Sequence, residues 1–231
     1  MDKGQESRIQ GEKRCWDISA SGYDRFILSR MAEGYGKLLS RVAGEIKPTD
    51  VVLDVATGTG LVAFEVAKRA EKVYGVDISP KMLAKAAEKA KADSVGNIEF
   101  RLEDGYATSF DDGVFDVVIC SNALHMMSDP PSALAEMRRV LKLDGALVAP
   151  TYCHAESTTL RTTMGLSLVK AMRWMKILPY LHRFKREDIL RIVEAAGFAI
   201  VQEEELDKDP LFLYIKARKT GHQLNIAPTI G

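Results

Sequence analysis

The sequence predicts an α/β domain built on a doubly wound, mostly parallel sheet with helices on both faces. Three observations predict it. Between residues 51 and 149, short β-branched runs alternate with stretches whose apolar residues fall at helical spacing, the pattern of strand-helix units with right-handed crossovers. The first run, Val51-Val52-Leu53-Asp54-Val55, opens directly into the glycine-rich turn Ala56-Thr57-Gly58-Thr59-Gly60. A length of 231 residues suits one ordinary domain with a sizeable core.

Composition narrows the class. Lys plus Arg and Asp plus Glu both number 32. That balance argues against general nucleic-acid binding, which leaves a basic excess. Cys15, Cys120 and Cys153 are too few and too widely spaced for a disulfide framework or a zinc site. They predict a reducing, cytoplasmic setting and no metal. The charged stretch 1–14 has no apolar segment, and no run of about 18 apolar residues occurs. Neither a secretion signal nor a membrane span is expected.

Taken in order, residues up to Lys13 are polar and expected to fray, and a helical region follows to about Ile46. Pro48 closes it, since the residue before a proline is pushed out of helical geometry. After the first strand and its turn, a helix is predicted over 61–69, a strand over 73–77, and a helix from Ser79-Pro80 to about Ala92. There Ser79 supplies the N-cap and Pro80 the first-turn proline. Strands over 98–101 and 115–120, a helix over 131–141, a turn at Asp144-Gly145 and a strand over 146–149 continue the alternation. It breaks at 156–178, a stretch rich in Met, Leu, Thr and basic residues, read as an inserted cap helix. A helix over 186–196 stops at Gly197, and two closing strands over 198–201 and 211–217 are linked by 202–210, a link short enough to require antiparallel pairing. The domain reading is a helical segment or lid over 1–46, a main domain over 47–219 with a cap insertion at about 156–184, and a flexible tail over 220–231.

A doubly wound sheet binds its ligand beyond the carboxyl ends of its strands, and each of those ends is polar in this chain. The turn Gly58-Thr59-Gly60 lets backbone approach a ligand closely and offers the unpaired N–H groups of a new helix. Asp77 ends the second strand about twenty residues on, where a carboxylate can hold a ribose diol. Asp54, inside the first strand, would gain nothing beside a pyrophosphate but would suit a cationic ligand. Asp104, after the third strand, can accept from an adenine amine. A ribose, an adenine, an ammonium and a sulfonium without phosphate are the parts of S-adenosylmethionine.

With these residues in view, the chain resembles the class I S-adenosylmethionine-dependent methyltransferases. The matching segments are 52–60, Gly75-Val76-Asp77-Ile78-Ser79, Glu103-Asp104-Gly105, 115–125 and 140–145. It is most similar to the small-molecule branch that includes the ubiquinone and menaquinone biosynthesis enzymes. The resemblance implies a Rossmann-like seven-stranded sheet in the order 3-2-1-4-5-7-6 with the last strand antiparallel. It implies that Gly58, Thr59 and Gly60, next to Ala56, wrap the methionine part. Asp77, beside Ile78, would bind ribose, Asp104 and Gly105 adenine, while Ser121 and Asn122 line the cofactor.

The expected reaction is transfer of a methyl group by in-line displacement to a small, partly apolar acceptor. A nicotinamide oxidoreductase and a nucleoside-binding sensor are the alternatives. His125 and His154 follow adjacent strands and could act as bases, or could be hydrogen-bonded pocket walls. Tyr23 and Trp16 could cover the cofactor; for Trp16, core packing is the preferred reading. Met164, Met172 and Met175 in the cap could shape a pocket for an apolar acceptor or cover ordinary core. A homodimer is compatible with the sequence.

Overall fold

The computed structural model describes residues 3–154, 180–208 and 210–221. Three helices come first: α1 Lys3–Ser19, α2 Tyr23–Arg30 and α3 Ala32–Gly44. The alternating part follows as β1 Val51–Val55, α4 Leu61–Ala67, β2 Lys72–Asp77, α5 Pro80–Ala92, β3 Ile98–Leu102, β4 Phe115–Ile119, α6 Pro130–Val140 and β5 Leu141–Val148. A short β6, Thr151–Cys153, a helix α7, Arg186–Ala195, and the hairpin β7 Phe198–Lys208 and β8 Leu211–Lys219 complete it.

The sheet runs β3-β2-β1-β4-β5-β8, with β6 and β7 both paired to β8. Strands β1 to β5 are mutually parallel, and β8 lies antiparallel to β5, β6 and β7. β5 and β6 follow one strand line along β8, interrupted at Pro150, which has no N–H to give to a ladder. Counted as one strand, they give the expected order 3-2-1-4-5-7-6 with an antiparallel last strand.

Alternation along each strand divides the core between two faces. Val52, Val73, Val117 and Val148 pack with Leu38 and Val42 of α3 and Val62 and Val66 of α4. Their neighbours Leu53, Val118 and Leu147 pack with Leu134 and Met137 of α6 and Ile189 and Val193 of α7. The helices thus cover both faces and leave the carboxyl ends of β1 to β4 open at one edge.

Three expectations about the elements are corrected. The N-terminal residues are not frayed: α1 begins at Lys3, because Arg8 pairs with Glu12 one turn on and with Asp104 across the sheet end. The acid-rich link 202–210 belongs mostly to β7, whose register with β8 reaches Lys208↔Leu211. Its carboxylates stay exposed on both faces of an edge strand, where Glu203 meets Arg186 of α7 on one face and Glu204 meets Arg41 of α3 on the other. β5 begins five residues early, at Leu141, and its pairing with β4 shifts register between Phe115 and Val117. The cap helix expected over 156–178 and residues 222–231 of the tail expected over 220–231 lie outside the described residues.

Candidate active site

A cleft opens where β1 to β4 end, and its walls are the polar strand ends. Ala56 and Gly58 come from β1, Asp77 and Ile78 from β2, Asp104 and Gly105 from β3, and Ser121 and Asn122 from β4. Two of these non-glycine residues take left-handed backbone, Ala56 at φ 57° and Asn122 at φ 55°. Such geometry costs on the order of 1–3 kcal/mol per residue and gathers at functional sites.

Asp77 organises the turn. Its Oδ2 accepts from the Gly58 N–H at 2.8 Å and its Oδ1 from the Ser79 N–H at 2.8 Å, so the carboxylate fixes the glycine turn against the end of β2. It is 7% exposed, and burial, opposed by those backbone donors, raises its pKa to about 6. Ser121 Oγ and both amide atoms of Asn122 are buried without a hydrogen-bond partner. Polar atoms in that condition are costly unless a ligand or water completes them. A Cβ on Gly105 would stand 2.8 Å from Val55 Cγ1, so this wall admits only glycine without repacking.

Five expected site residues do not line the cleft. Asp54, 2% exposed, accepts from Thr57 Oγ1 at 2.7 Å. Burial raises it to about 7, so the acid expected to face a cationic ligand instead braces the turn from beneath. Thr59 donates to the Asp24 carboxylate of α2, and Gly60, at φ 82°, caps α4. His125 and His154 stand beyond the cleft wall with ring centroids 5.4 Å apart. His125 Nδ1 bonds Thr151 Oγ1 at 3.0 Å, and burial lowers its pKa to about 3. His154 stacks on Tyr152 at 5.8 Å, and burial lowers its pKa as well. Its Nδ1 is buried without a partner.

In the N-terminal helical segment, sequence reasoning named Tyr23 and Trp16 as possible covers and missed Glu12. Glu12, Trp16 and Tyr23 line the cleft from α1 and α2, with Trp16 edge-on to Tyr23 at 6.4 Å; Trp16 therefore faces the cleft rather than ordinary core. Asp17 accepts from Ser79 Oγ at 2.6 Å and from Lys81 N–H at 3.3 Å, holding α1 at the start of α5. Tyr106 and the methionines Met82, Met126 and Met127 also line the cleft. The available signal was the four-residue spacing of Arg8, Glu12 and Trp16, which puts them on one helix face. Among the described residues no group of His, Cys, Asp or Glu could hold a metal ion.

Residues 53–149 match a family model described as a methyltransferase domain. The ubiquinone/menaquinone biosynthesis C-methyltransferase of Citrifermentans bemidjiense is 40% identical over 101 residues, 42% of this chain and 43% of that protein. The demethylmenaquinone methyltransferase of Thermobifida fusca is 30% identical over 162 residues, 69% of each. The chain spans 41–59% of the length of three such C-methyltransferases. Among solved structures, a [4+2]-cyclase, SpnF, has a TM-score of 0.67 at 22% identity, covering 80% of both chains. The geranyl diphosphate C-methyltransferase of Streptomyces coelicolor A3(2) has 0.65 at 16% identity, covering 82% of this chain and 78% of that one. These two likenesses concern the fold; the family rests on the sequence relatives and the domain match, and by them the chain belongs to the S-adenosylmethionine-dependent methyltransferases.

Proposed function

We propose that this chain binds S-adenosylmethionine at the ends of β1 to β4 and transfers its methyl group to a small, partly apolar acceptor. The observation that carries the proposal is the convergence of Gly58, Asp77, Asp104 and Asn122 on one cleft, together with the unpartnered atoms of Ser121 and Asn122. Those residues fit the cofactor's parts. In this reading, Ala56 and Gly58 face the methionine part, with Gly58 close enough to Tyr23 that an added Cβ would touch its ring at 4.0 Å. The Asp77 oxygens, each already holding one backbone N–H, keep a lone pair for the ribose hydroxyls.

When bound, the cofactor supplies an electrophilic methyl carbon on a cationic sulfur. The chain's own contribution is alignment and exclusion of water. Ala56, Gly58, Asp77, Asp104 and Asn122 would hold the cofactor so that this methyl carbon could pass to a nucleophilic atom of the acceptor with the electron pair left on sulfur. The proton displaced from the acceptor needs a base. His154, neutral and with an unpartnered Nδ1, is the candidate for an acceptor that extends past the cleft wall behind which it stands, with His125 beside it held neutral by burial. The relatives' names, for demethylmenaquinone and geranyl diphosphate, support an acceptor with an apolar part, as do Met126 and Met127 in the cleft wall. The balanced charge and the three cysteines support a cytoplasmic enzyme without general nucleic-acid binding.

Calorimetry with S-adenosylmethionine, S-adenosylhomocysteine and NAD tests the reading. Both sulfur nucleosides should bind and NAD should not. Asp77→Ala should lose about 1.5–3 kcal/mol of that affinity, the worth of a charge-assisted hydrogen bond. Tight NAD binding would replace the reading with an oxidoreductase, and binding without turnover on any acceptor would leave a nucleoside sensor.

A further inference from the structure

We propose that the hydroxyls of Tyr23, Tyr35 and Tyr152 together hold the polar end of the methyl acceptor, and that this end is an amine, carried as an ammonium group on an apolar body. The inference rests on the placement of the cofactor in the cleft described above and names the chemistry of the molecule beside it.

The three rings come from separate elements and meet in one place. Tyr35 of α3 and Tyr152 of β6 are buried in the core layer that also holds Phe212, and Tyr23 of α2 packs against that layer. Tyr152 stacks on Phe212 at 4.4 Å, with His154 on it at 5.8 Å, and this stacking fixes the direction of its hydroxyl. A Cβ added to Gly34, the neighbour of Tyr35, would stand 3.4 Å from the same phenylalanine. Tyr23 is the member of the set that lines the cofactor cleft; Tyr35 and Tyr152 are outside its lining. The set therefore begins where the methionine end of the cleft stops.

A buried tyrosine O–H ordinarily finds a hydrogen-bond partner. Each of these hydroxyls is within electrostatic reach of the other two, and burial keeps all three protonated, yet among the described residues none of them makes a hydrogen bond. The side chains that charge their surroundings are acids: Asp54 and Asp24 act on Tyr23 and Tyr35, Asp77 on Tyr23, and Asp207 on Tyr152. Lys89 answers Asp24 at 2.9 Å, and two backbone N–H groups answer Asp77. Asp54 accepts from Thr57 and meets no cation among the described residues. Three unused oxygens in a negative field match an ammonium group, which brings up to three N–H donors and the opposite charge. An anionic end would meet these acids as like charges, and a neutral hydroxyl would gain nothing from them.

The test uses three probes that share one apolar body and differ in charge at the end: 2-phenylethylamine, 2-phenylethanol and phenylacetate. Each is titrated by calorimetry into the chain saturated with S-adenosylhomocysteine. The wild type should prefer the amine to the alcohol by about 10–100-fold, the range of a hydrogen bond to a charged group, and should bind phenylacetate least. Tyr35→Phe and Tyr152→Phe keep each ring and remove one oxygen, so each should weaken the amine by about tenfold while S-adenosylhomocysteine stays within about twofold of its wild-type affinity. Equal affinity for amine and alcohol, or no binding of the amine to the saturated wild type, overturns the assignment without recourse to a variant. So does an amine preference that survives both substitutions in proteins whose thermal melts match the wild type. Loss of S-adenosylhomocysteine affinity in both variants without amine binding would place the cofactor's own ammonium at these hydroxyls and also overturn it. Failure of the wild type to bind S-adenosylhomocysteine would instead count against the proposed function.

Discussion

Asp54 and His125 are both buried, and burial favours the neutral form of each, which gives them opposite effects on stability as pH changes. Asp54 is raised to about 7. Its contribution is therefore fully present below the ordinary carboxylate range and is lost as pH rises through about 7. His125 is lowered to about 3. Its contribution is present above the ordinary histidine value and is lost as pH falls below it toward 3. Asp77, raised to about 6, acts in the same direction as Asp54. Asp54→Asn isolates one term, since the amide oxygen can still accept from Thr57 Oγ1 while nothing remains to ionise. The difference in melting temperature between variant and wild type should therefore grow in the variant's favour by about 5 °C between pH 5 and pH 8. Melts at the two pH values check this, and an offset that does not change with pH would show that Asp54 is already ionised in the native state.

Helix α1 is held by few contacts for its length. Of its described side chains, Glu12 and Cys15 are the buried ones, while Arg8 reaches Asp104 and Asp17 reaches the start of α5. The carboxylate of Asp17 sits where the unpaired N–H groups of α5 favour negative charge. An element with little apolar burial opens locally well before the domain unfolds. Asp17→Ala should therefore raise the rate of tryptic cleavage at Lys13 and Arg14 several-fold. Saturating S-adenosylhomocysteine should slow that cleavage in the wild type, because the inner face of the same helix lines the cleft proposed to hold it. Mass-spectrometric timing of the cut measures both effects, and equal rates in variant and wild type would mean that Asp17 does not hold α1 down.

Across the whole molecule, legibility followed where each element finds its partners. β1 and β4 show through the sequence because a parallel strand covered on both faces reads as a continuous apolar run, as Phe115-Asp116-Val117-Val118-Ile119 does. β7 does not, since its edge position lets Glu203, Glu204 and Glu205 face outward, and α1 does not, since Asp104 lies 96 residues from its partner Arg8. The strand-end half of the cleft could be read for the same local reason, whereas Glu12 required a contact between distant segments. Asp54 showed the limit of local reading, because its role depends on Thr57 folding back over it. The cleft sits where these local and distant parts meet. Its walls come from four strands whose side chains feed both core layers, so a ligand there braces the lid and the sheet together. At a hundredfold excess over its dissociation constant, S-adenosylhomocysteine should stabilise the native state by about 2.7 kcal/mol. For a domain of this size that is a rise of about 5–10 °C in melting temperature. Differential scanning calorimetry should show one transition moving as a unit. A ligand that shifts only a low-temperature shoulder would mean that the lid and the sheet unfold separately.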